Sequence, residues 1–377
     1  MNKANLTMLL AVGALGTCNL AQAQASSVTL YGLTSVGIGY ASNDGGHSSV
    51  KMLPGTMQNN RWGIRGVEDL GGGNRALFVL ESGFAIDDGK SQQGGRLFGR
   101  QAYVGLGNDT YGSVTLGRQY DAVYDGLDIM SAPVAAAGLA AHIGDNDNVF
   151  GSYRHNNTVK YVTPNFGGFR GEASYSLSDV SGAANNRSFS VGGIYESGPL
   201  RVASAYLQLD NPGLAASNNP NGAVTDDYAG APFVLFHSSP LNPAVGVARQ
   251  RVAGIAAGYS IGDARINGMY TYVKYDYKDS TGLRLNNFDL NATYNLTPSL
   301  VLGAAYVFTS GTYRGIASTP KWHMGQLSLD YFFSKRTDIY IFGVYQKAQG
   351  ANADIYLLAP SSNQHQAMVV TGIRHKF

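Results

Sequence analysis

Charged side chains, rather than a catalytic set, are the residues of this sequence whose types and spacing suggest a chemical role. The segment 119–153 carries five aspartates and no lysine or arginine. Arginines lie in the stretches before and after it: Arg61, Arg65, Arg75, Arg100, Arg118 and Arg154. Because a guanidinium stays protonated at any working pH, these are fixed charges. Opposite charges facing each other across an aqueous passage set up a field that orients dipolar solutes and selects ions.

The other titratable residues form no catalytic or metal-binding pattern. The seven histidines show no metal-ligand spacing, and no nucleophile–base pair stands out. We interpret His155 and His375 as ordinary strand residues. The sequence therefore predicts no enzyme activity, no metal site and no cofactor.

The segment 367–377 (AMVVTGIRHKF) shows which kind of element positions these charges. Positions 369, 371, 373, 375 and 377 form an apolar-to-aromatic face, and Arg374 and Lys376 lie on the opposite, polar face. A last strand left unpaired is an aggregation hazard, and pairing it with the first strand closes a barrel. The alternative is a soluble sheet that ends on Phe377.

Composition separates a membrane barrel from the other classes. Charged residues make up 14% of the 377 residues, against roughly 25% in a typical soluble domain, and the chain holds 49 glycines and 24 tyrosines. Only the N-terminus has a continuous apolar run, so a helical membrane bundle is excluded. The formal net charge of +2 indicates no nucleic-acid partner.

The N-terminus predicts export. Lys3, an apolar run over 6–15 and small residues over 21–25 are the three parts of a signal peptide. We predict cleavage after Ala23, with Ala25 as the alternative, so that residues 1–23 are the signal and 24–377 the mature barrel. The only cysteine, Cys18, then leaves with the signal, which excludes disulfides and thiolate sites. A lipoprotein acylated at Cys18 is the other possibility.

Alternating segments separated by turn residues predict a meander of sixteen antiparallel strands. The predicted strands are 27–41, 55–66, 74–86, 98–107, 113–118, 154–163, 169–177, 188–196, 200–209, 250–260, 264–277, 284–295, 299–309, 322–332, 338–347 and 366–377. Short connections alternate with long polar ones, beginning with a predicted loop at 42–51. Tight turns at one end and long loops at the other are typical of an outer-membrane β-barrel. A soluble eight-stranded barrel would need only half this length.

The strand faces predict what meets lipid and what meets water. In 287–295, Phe288, Leu290 and Tyr294 form an apolar face toward lipid, and the Asn/Asp face lines the aqueous interior. Trp62 and Trp322 are also expected to face lipid. Tyrosines near strand ends suit the membrane interfaces: Tyr40, Tyr161, Tyr175, Tyr259, Tyr294, Tyr306 and Tyr331.

Several segments in order resemble the Gram-negative general porins of β-proteobacteria. These are SSVTLYG (26–32), RWGIRGVEDLGGG (61–73), LESGF (80–84), GRQAYVGL (99–106), YGSVTLGRQYD (111–121), NTVKYVTPNFGG (157–168) and the final VTGIRHKF. The resemblance implies a sixteen-stranded homotrimeric barrel in the outer membrane that passes small hydrophilic solutes and ions by diffusion. It also implies lipopolysaccharide contact, insertion by the barrel-assembly machinery and Phe377 as the assembly signal.

The resemblance further implies that the third loop, 119–153, folds inward as a constriction. It assigns Arg61, Arg100 and Arg154 to a basic ladder with Glu81 beside it. Asp121 matches the start of the loop, whereas Asp125, Asp128 and Asp145 are candidate pore acids without a matched position. Further basic candidates are Arg65, Arg75 and Arg118. If Arg100 faces the lumen, strand alternation places Ala102, Val104 and Leu106 there too.

The expected function is therefore a general diffusion porin with a weak anion preference. Two alternatives stay open. A substrate-selective channel would hold stacked aromatics or a dedicated site in the lumen, and an outer-membrane enzyme would need a nucleophile–base pair near the rim. The connection 210–249 matches no pattern.

Overall fold

A computed structural model of the protein describes residues 27–180, 185–230 and 234–377. The predicted signal peptide, residues 1–23, lies outside the described residues. The described part of the chain consists mainly of β-strands connected by turns and loops. The strands are β1 (Ser27–Asp44), β2 (His47–Pro54), β3 (Arg61–Gly71), β4 (Asn74–Gly83), β5 (Gln101–Asn108), β6 (Gly112–Gln119), β7 (His155–Val162), β8 (Phe169–Ser176), β9 (Arg187–Ser197), β10 (Leu200–Asp210), β11 (Val247–Ile261), β12 (Ala264–Tyr277), β13 (Gly282–Thr297), β14 (Leu300–Arg314), β15 (Lys321–Phe332), β16 (Thr337–Gln349) and β17 (His365–Lys376).

The seventeen segments form sixteen barrel strands in the described part of the chain. β2 and β3 both pair antiparallel with β1, one beyond the other, so together they make the second strand. Every later strand pairs antiparallel with the next in sequence, and β17 returns to β1. The prediction of a sixteen-stranded antiparallel barrel is confirmed.

Closure joins the first strand to the last. The register runs from Leu33 opposite Lys376 to Ala41 opposite Met368. At the end of this ladder Gly32 and Phe377 exchange two backbone hydrogen bonds, each 3.0 Å long. The last strand therefore has no open edge, as its alternation predicted.

The outer face of the barrel is apolar. Phe288, Leu290 and Tyr294 are 48%, 59% and 50% exposed, although each is a large hydrophobic side chain. The seven tyrosines predicted at the membrane interfaces are all exposed as well. On β13, the residues that alternate with Phe288 and Leu290 are Asn287, Asp289 and Asn291, and these are buried inside the barrel. The inside-out pattern of the strands is confirmed.

The first hairpin differs from the prediction of a polar loop at 42–51. β1 and β2 are joined by the two-residue turn Gly45–Gly46, whose φ angles of +67° and +105° suit glycine and a tight hairpin. The chain instead leaves the sheet at 55–60, within the predicted second strand. There the Asn60 side-chain oxygen accepts the Ser35 amide at 2.5 Å, which holds the break against the inner wall.

The prediction that Trp322 faces lipid is wrong. Trp322 is buried on the inner face of β15, where its indole nitrogen donates to the Asn352 carbonyl at 3.1 Å. Its ring packs edge-on against Phe236, with centroids 6.0 Å apart. The prediction followed from the aromatic character of Trp322. Strand alternation places Trp322 on the same inner face as Gln326, Ser328 and Asp330, where a loop covers it from within the barrel.

Short helices occur only within the described loops. They are α1 (Ala122–Leu127), α2 (Ala132–Ala135), α3 (Leu214–Ser217) and α4 (Thr225–Tyr228). None of these helices is long and apolar enough to cross a membrane. Two apolar cores lie inside the barrel, where loop residues such as Leu127 and Leu139 pack on inward side chains of the strands.

Closure of the barrel depends on a glycine beside the terminal aromatic ring. A Cβ at Gly32 would lie 2.4 Å from Cζ of Phe377 and 2.6 Å from the Arg61 carbonyl oxygen. We predict that Gly32→Val destabilises the barrel by about 1–3 kcal/mol, because neither the ring nor the backbone can move without opening the β1–β17 seam. The fraction of heat-modifiable folded protein and the urea midpoint measure the loss.

Gly268→Val is the matched control, since a Cβ there meets no atom within 4 Å on the same outer face. An equal loss in both variants would show that added side-chain volume, rather than the seam, is responsible.

Candidate pore constriction

The connection 119–153, here called the third loop, is bound to the inner wall of the barrel. The Asp289 carboxylate accepts the Ala132 amide at 2.7 Å, and Gln326 Oε1 accepts the amides of Leu139 and Ala140 at 2.8 and 3.0 Å. Asn291 donates to the Met130 carbonyl at 2.9 Å. Polar wall residues therefore satisfy backbone groups that the loop's short helices leave unpaired.

Apolar contacts bury the same side of the third loop. Val123, Leu127 and Met130 are fully buried in a cluster with the wall residues Val252 and Met269. Burying such side chains contributes roughly 1.5–3 kcal/mol each. The third loop is thus fixed to β9–β15, which leaves the opposite wall of the lumen open.

Asp121 organises the start of the third loop rather than facing the lumen. Its carboxylate caps α1 by accepting the amides of Val123 and Tyr124 at 2.8 and 3.2 Å. The other oxygen accepts from Asn148 at 2.6 Å and lies 3.0 Å from Nε2 of His155. Although burial opposes its charge, the hydrogen bond from His155 lowers the pKa of Asp121. His155 is therefore a loop anchor, a role the sequence did not reveal.

Asp145 and Asp147 hold the end of the third loop. Asp145 accepts the amides of Phe150 and Ser152, both at 2.9 Å. Asp147 lies 2.6 Å from Nδ1 of His142 and also accepts from Thr271 on the wall. Burial opposes a charge on His142, but the Asp147 carboxylate raises its pKa to about 8. The carboxylates of Asp145 and Asp147 are therefore used in hydrogen bonds that hold the third loop.

Asp125 faces away from the main cavity. Its carboxylate pairs with Lys160 of β7 and lines a smaller space between α1 and the barrel wall. Of the four loop aspartates proposed as pore acids, the structure thus places only Asp128 on the main cavity.

The main cavity lies between the third loop and the barrel wall, with a volume of about 370 Å³, and inward residues of β13–β15 also line it. Arg61 and Arg100 line it on one side, and Tyr124, Asp128 and the helix α2 line it on the other. Arg374 and Lys376 of the last strand, together with Asp330, extend the charged lining. The sequence had placed Arg374 and Lys376 on a polar face without assigning them to the site.

Arg61 and Arg100 share one carboxylate. Nε of Arg100 donates to Glu81 at 2.7 Å, and Nε of Arg61 lies 3.8 Å from the other Glu81 oxygen. Tyr31 donates its hydroxyl to the same oxygen at 3.0 Å. Two guanidiniums and one carboxylate leave a net charge of +1 on the cavity wall.

The position of Arg100 resolves the difficulty with strand alternation. β5 begins one residue later, at Gln101, while Val104 and Leu106 are exposed on the outer face. Because Arg100 lies before the regular strand, its side chain enters the barrel without forcing the next alternate residues inward.

Arg154 lies next to the Arg61–Arg100–Glu81 group. In the described part of the chain, Arg154 is not one of the residues that line the main cavity. Its guanidinium stands 4.9 Å from the ring centre of Tyr120 and donates to the Tyr120 hydroxyl at 2.8 Å. Arg100 approaches the same ring at 5.9 Å, and Tyr120 stacks on Tyr124 at 3.8 Å. The two stacked tyrosines therefore connect Arg154 to the cavity wall.

The other three arginines are not brought together with Arg61 and Arg100. Arg65 is exposed over the ring of Tyr31, 5.3 Å from its centre. Arg75 pairs with Asp109 at 2.5 Å, at the end of the barrel that carries the short turns. Arg118 is buried and pairs with Asp227 of the connection 211–246.

The sequence profile of the Gram-negative porins matches residues 7–351. The chain belongs to the Gram-negative porin family. An outer membrane porin protein of Bordetella pertussis is 30% identical to it over 98% of this chain and 99% of the relative. An anion-selective porin from Comamonas acidovorans has the same fold, with a TM-score of 0.76 and 24% identity over 93% of this chain and 100% of that chain. So does the trimer form of OmpT from Vibrio cholerae, with a TM-score of 0.68 and 15% identity over 94% of this chain and 100% of that chain.

This porin is therefore a channel of the outer membrane, and the lumen of its barrel is the path for diffusing solutes. The predicted family, fold class and location are confirmed. Within the described residues no group of acids, histidines and cysteines has the geometry of a metal site.

Asp128 is an acid at the porin's main cavity whose charge can change. It is half-buried, and its Oδ1 is enclosed without a hydrogen-bond partner. Burial, with a further contribution from the Asp145 charge, raises the pKa of Asp128 to about 8. The carboxyl is thus mainly neutral at neutral pH and gains a negative charge in alkaline solution.

We predict that the anion-to-cation permeability ratio falls as the pH rises through about 8, because ionised Asp128 adds negative charge opposite Arg61 and Arg100. Reversal potentials measured in a salt gradient at stepped pH check this. In Asp128→Asn the step should disappear. If that variant keeps the same pH dependence, another group is responsible.

Proposed function

We propose that the protein is a general diffusion porin with an anion preference set by Arg61 and Arg100. The observation that carries the proposal is the shared carboxylate: Glu81 neutralises one of two guanidiniums on the cavity wall. Asp128 opposite is mainly neutral at neutral pH. Arg154, Arg374 and Lys376 add positive charge near the same passage, with Asp330 and Asp338, which both pair with Arg374, as counter-charges.

A net positive wall attracts anions and repels cations where the passage is narrow. The third loop acts as the constriction because it is fixed to one wall and leaves the passage against the other. The lining is mixed in character, with Val134 and Ala135 of α2 beside charged groups, so it accepts small hydrophilic solutes without a dedicated stereospecific site.

We further propose that residues 1–23 are removed on export and that three mature chains form a trimer, as in the trimer form of OmpT, which has this fold. Lipopolysaccharide around the barrel and recognition of Phe377 by the assembly machinery follow the family resemblance. The protein has no catalytic role in this proposal, because its charged groups line a passage rather than flank a nucleophile.

The test is planar-bilayer recording of the purified protein in a salt gradient, with size determination in mild detergent. The proposal expects ohmic openings in groups of three and a reversal potential of the sign for anions. Cation preference would contradict the anion proposal, and a silent bilayer with folded protein would contradict the channel itself. A monomeric mass would contradict the trimer alone.

Removing one of the two guanidiniums tests the residue assignment. Arg100→Gln takes the charge of the Arg61–Arg100–Glu81 group from +1 to zero. A unit charge about 4 Å from an ion in water is worth about 1 kcal/mol, or about five-fold for one ion. Because the anion loses this attraction and the cation loses the same repulsion, the anion-to-cation permeability ratio should fall by up to about 30-fold.

Arg75→Gln is the matched control, because Arg75 is paired with Asp109 at the far end of the barrel. Its reversal potential should equal that of the unmodified porin, and Arg100→Lys should retain most of the preference. Equal shifts of the reversal potential in Arg75→Gln and Arg100→Gln would contradict the assignment of the anion preference to the cavity wall.

A further inference from the structure

We infer that the connection 211–246 is a second inward-packed loop, and that its residue Asp227 sets the ion preference of the pore by holding the two ends of the third loop. The inference rests on the proposed function, since it concerns the selectivity of the same passage. The described residues of this connection, 211–230 and 234–246, are here called the fifth loop.

The fifth loop lies against inward side chains of the barrel. Tyr228 donates its hydroxyl to Gln250 Oε1 at 2.8 Å, and the Tyr277 hydroxyl donates to the Phe236 carbonyl at 3.0 Å. Phe236 also packs on Trp322 of β15. All of these side chains except Gln250 belong to one buried apolar cluster inside the barrel. The fifth loop therefore occupies part of the lumen.

Its aromatic residues also contact the third loop. Tyr228 stacks on His237 with ring centres 3.6 Å apart, and Nδ1 of His237 lies 2.6 Å from the Tyr228 carbonyl oxygen. The same Tyr228 ring lies 5.6 Å from the ring of Tyr153, the last residue of the third loop. Two loops of distant sequence position are thus packed as one unit.

Asp227 connects this unit to the residues that bracket the third loop. Arg118 immediately precedes the loop, and its Nη2 donates to Asp227 Oδ2. Arg154 immediately follows the loop, and its backbone amide donates to the same oxygen at 3.2 Å. The second oxygen, Oδ1, accepts from Arg96 at 3.3 Å. One carboxylate therefore fastens both ends of the third loop to the fifth.

The carboxylate also sets the local charge next to Arg154, whose carbonyl oxygen accepts from Arg118 at 3.5 Å. The Asp227 and Arg118 side chains are only 4% and 8% exposed, so their charges are weakly screened by solvent. Asp227 partly neutralises Arg118, a further basic candidate from the sequence, and the same carboxylate also pairs with Arg96. Without the Asp227 charge, the positive charge of Arg118 would no longer be neutralised by this carboxylate. The same change would also weaken the contacts that hold both ends of the third loop.

Three variants of the full-length porin test this in planar bilayers. Asp227→Asn should shift the reversal potential further toward anion preference and increase open-channel current noise. Arg118→Gln should shift the reversal potential in the opposite direction, because one of the positive charges paired with Asp227 is then lost. The double variant should return close to the unmodified value, a cancellation that a merely structural contact does not produce.

Asp44→Asn is the matched control, since Asp44 is an acid of the first hairpin paired with Lys51. It should leave the reversal potential unchanged. If Asp227→Asn does not fold, Arg118→Gln and the double variant still decide the direction of the effect. An unchanged Asp227→Asn, or single variants that shift in the same direction, would overturn the inference.

These results are separable from the proposed function. A silent or cation-preferring unmodified protein would contradict the proposed function. If the unmodified porin prefers anions and the Asp227 and Arg118 variants have the same reversal potential as the unmodified porin, only the role of Asp227 is contradicted.

Discussion

Every main-chain amide and carbonyl that faces lipid must find its partner within the protein, and the β1–β17 seam is the contact through which this chain meets that requirement. The two backbone hydrogen bonds between Gly32 and Phe377 complete the pairing of the first strand of the barrel with the last. Because the outer face must also be apolar, nearly all charged strand residues are directed into the lumen or to the ends of the barrel. Closure thereby concentrates charge along the passage.

A lumen of this size cannot be filled by strand side chains alone. The third loop fills part of it, and its backbone amides at Ala132, Leu139 and Ala140 bond to Asp289 and Gln326 on the wall. The wall's polar residues therefore have two roles: they keep the interior hydrophilic and they fix the loop. Because the loop is fixed to one side, the remaining passage runs past Arg61 and Arg100.

The strand pattern was predictable because lipid imposes it at every second residue. Phe288, Leu290 and Tyr294 face outward for that reason, and Arg61 and Glu81 meet across neighbouring strands as family position suggested. Loop contacts have no such period. The sequence matches Asp121 to the start of the third loop, but it does not show that Asp121 caps a helix whereas Asp128 lines the cavity. Trp322 was misplaced because aromatic character was taken to indicate lipid contact, although Trp322 shares a face with Ser328 and Asp330. Its partner Phe236 comes from a loop without a recognisable pattern.

The central claim is that solutes pass between the third loop and the wall that carries Arg61 and Arg100. Cysteine substitution tests it most directly, with Ala135 lining the cavity and Ala140 fully buried against Gln326. A thiol reagent carrying a sulfonate should modify Ala135→Cys and lower both the single-channel current and the anion preference, while Ala140→Cys remains unmodified. Full modification of Ala135→Cys with an unchanged current would contradict the account.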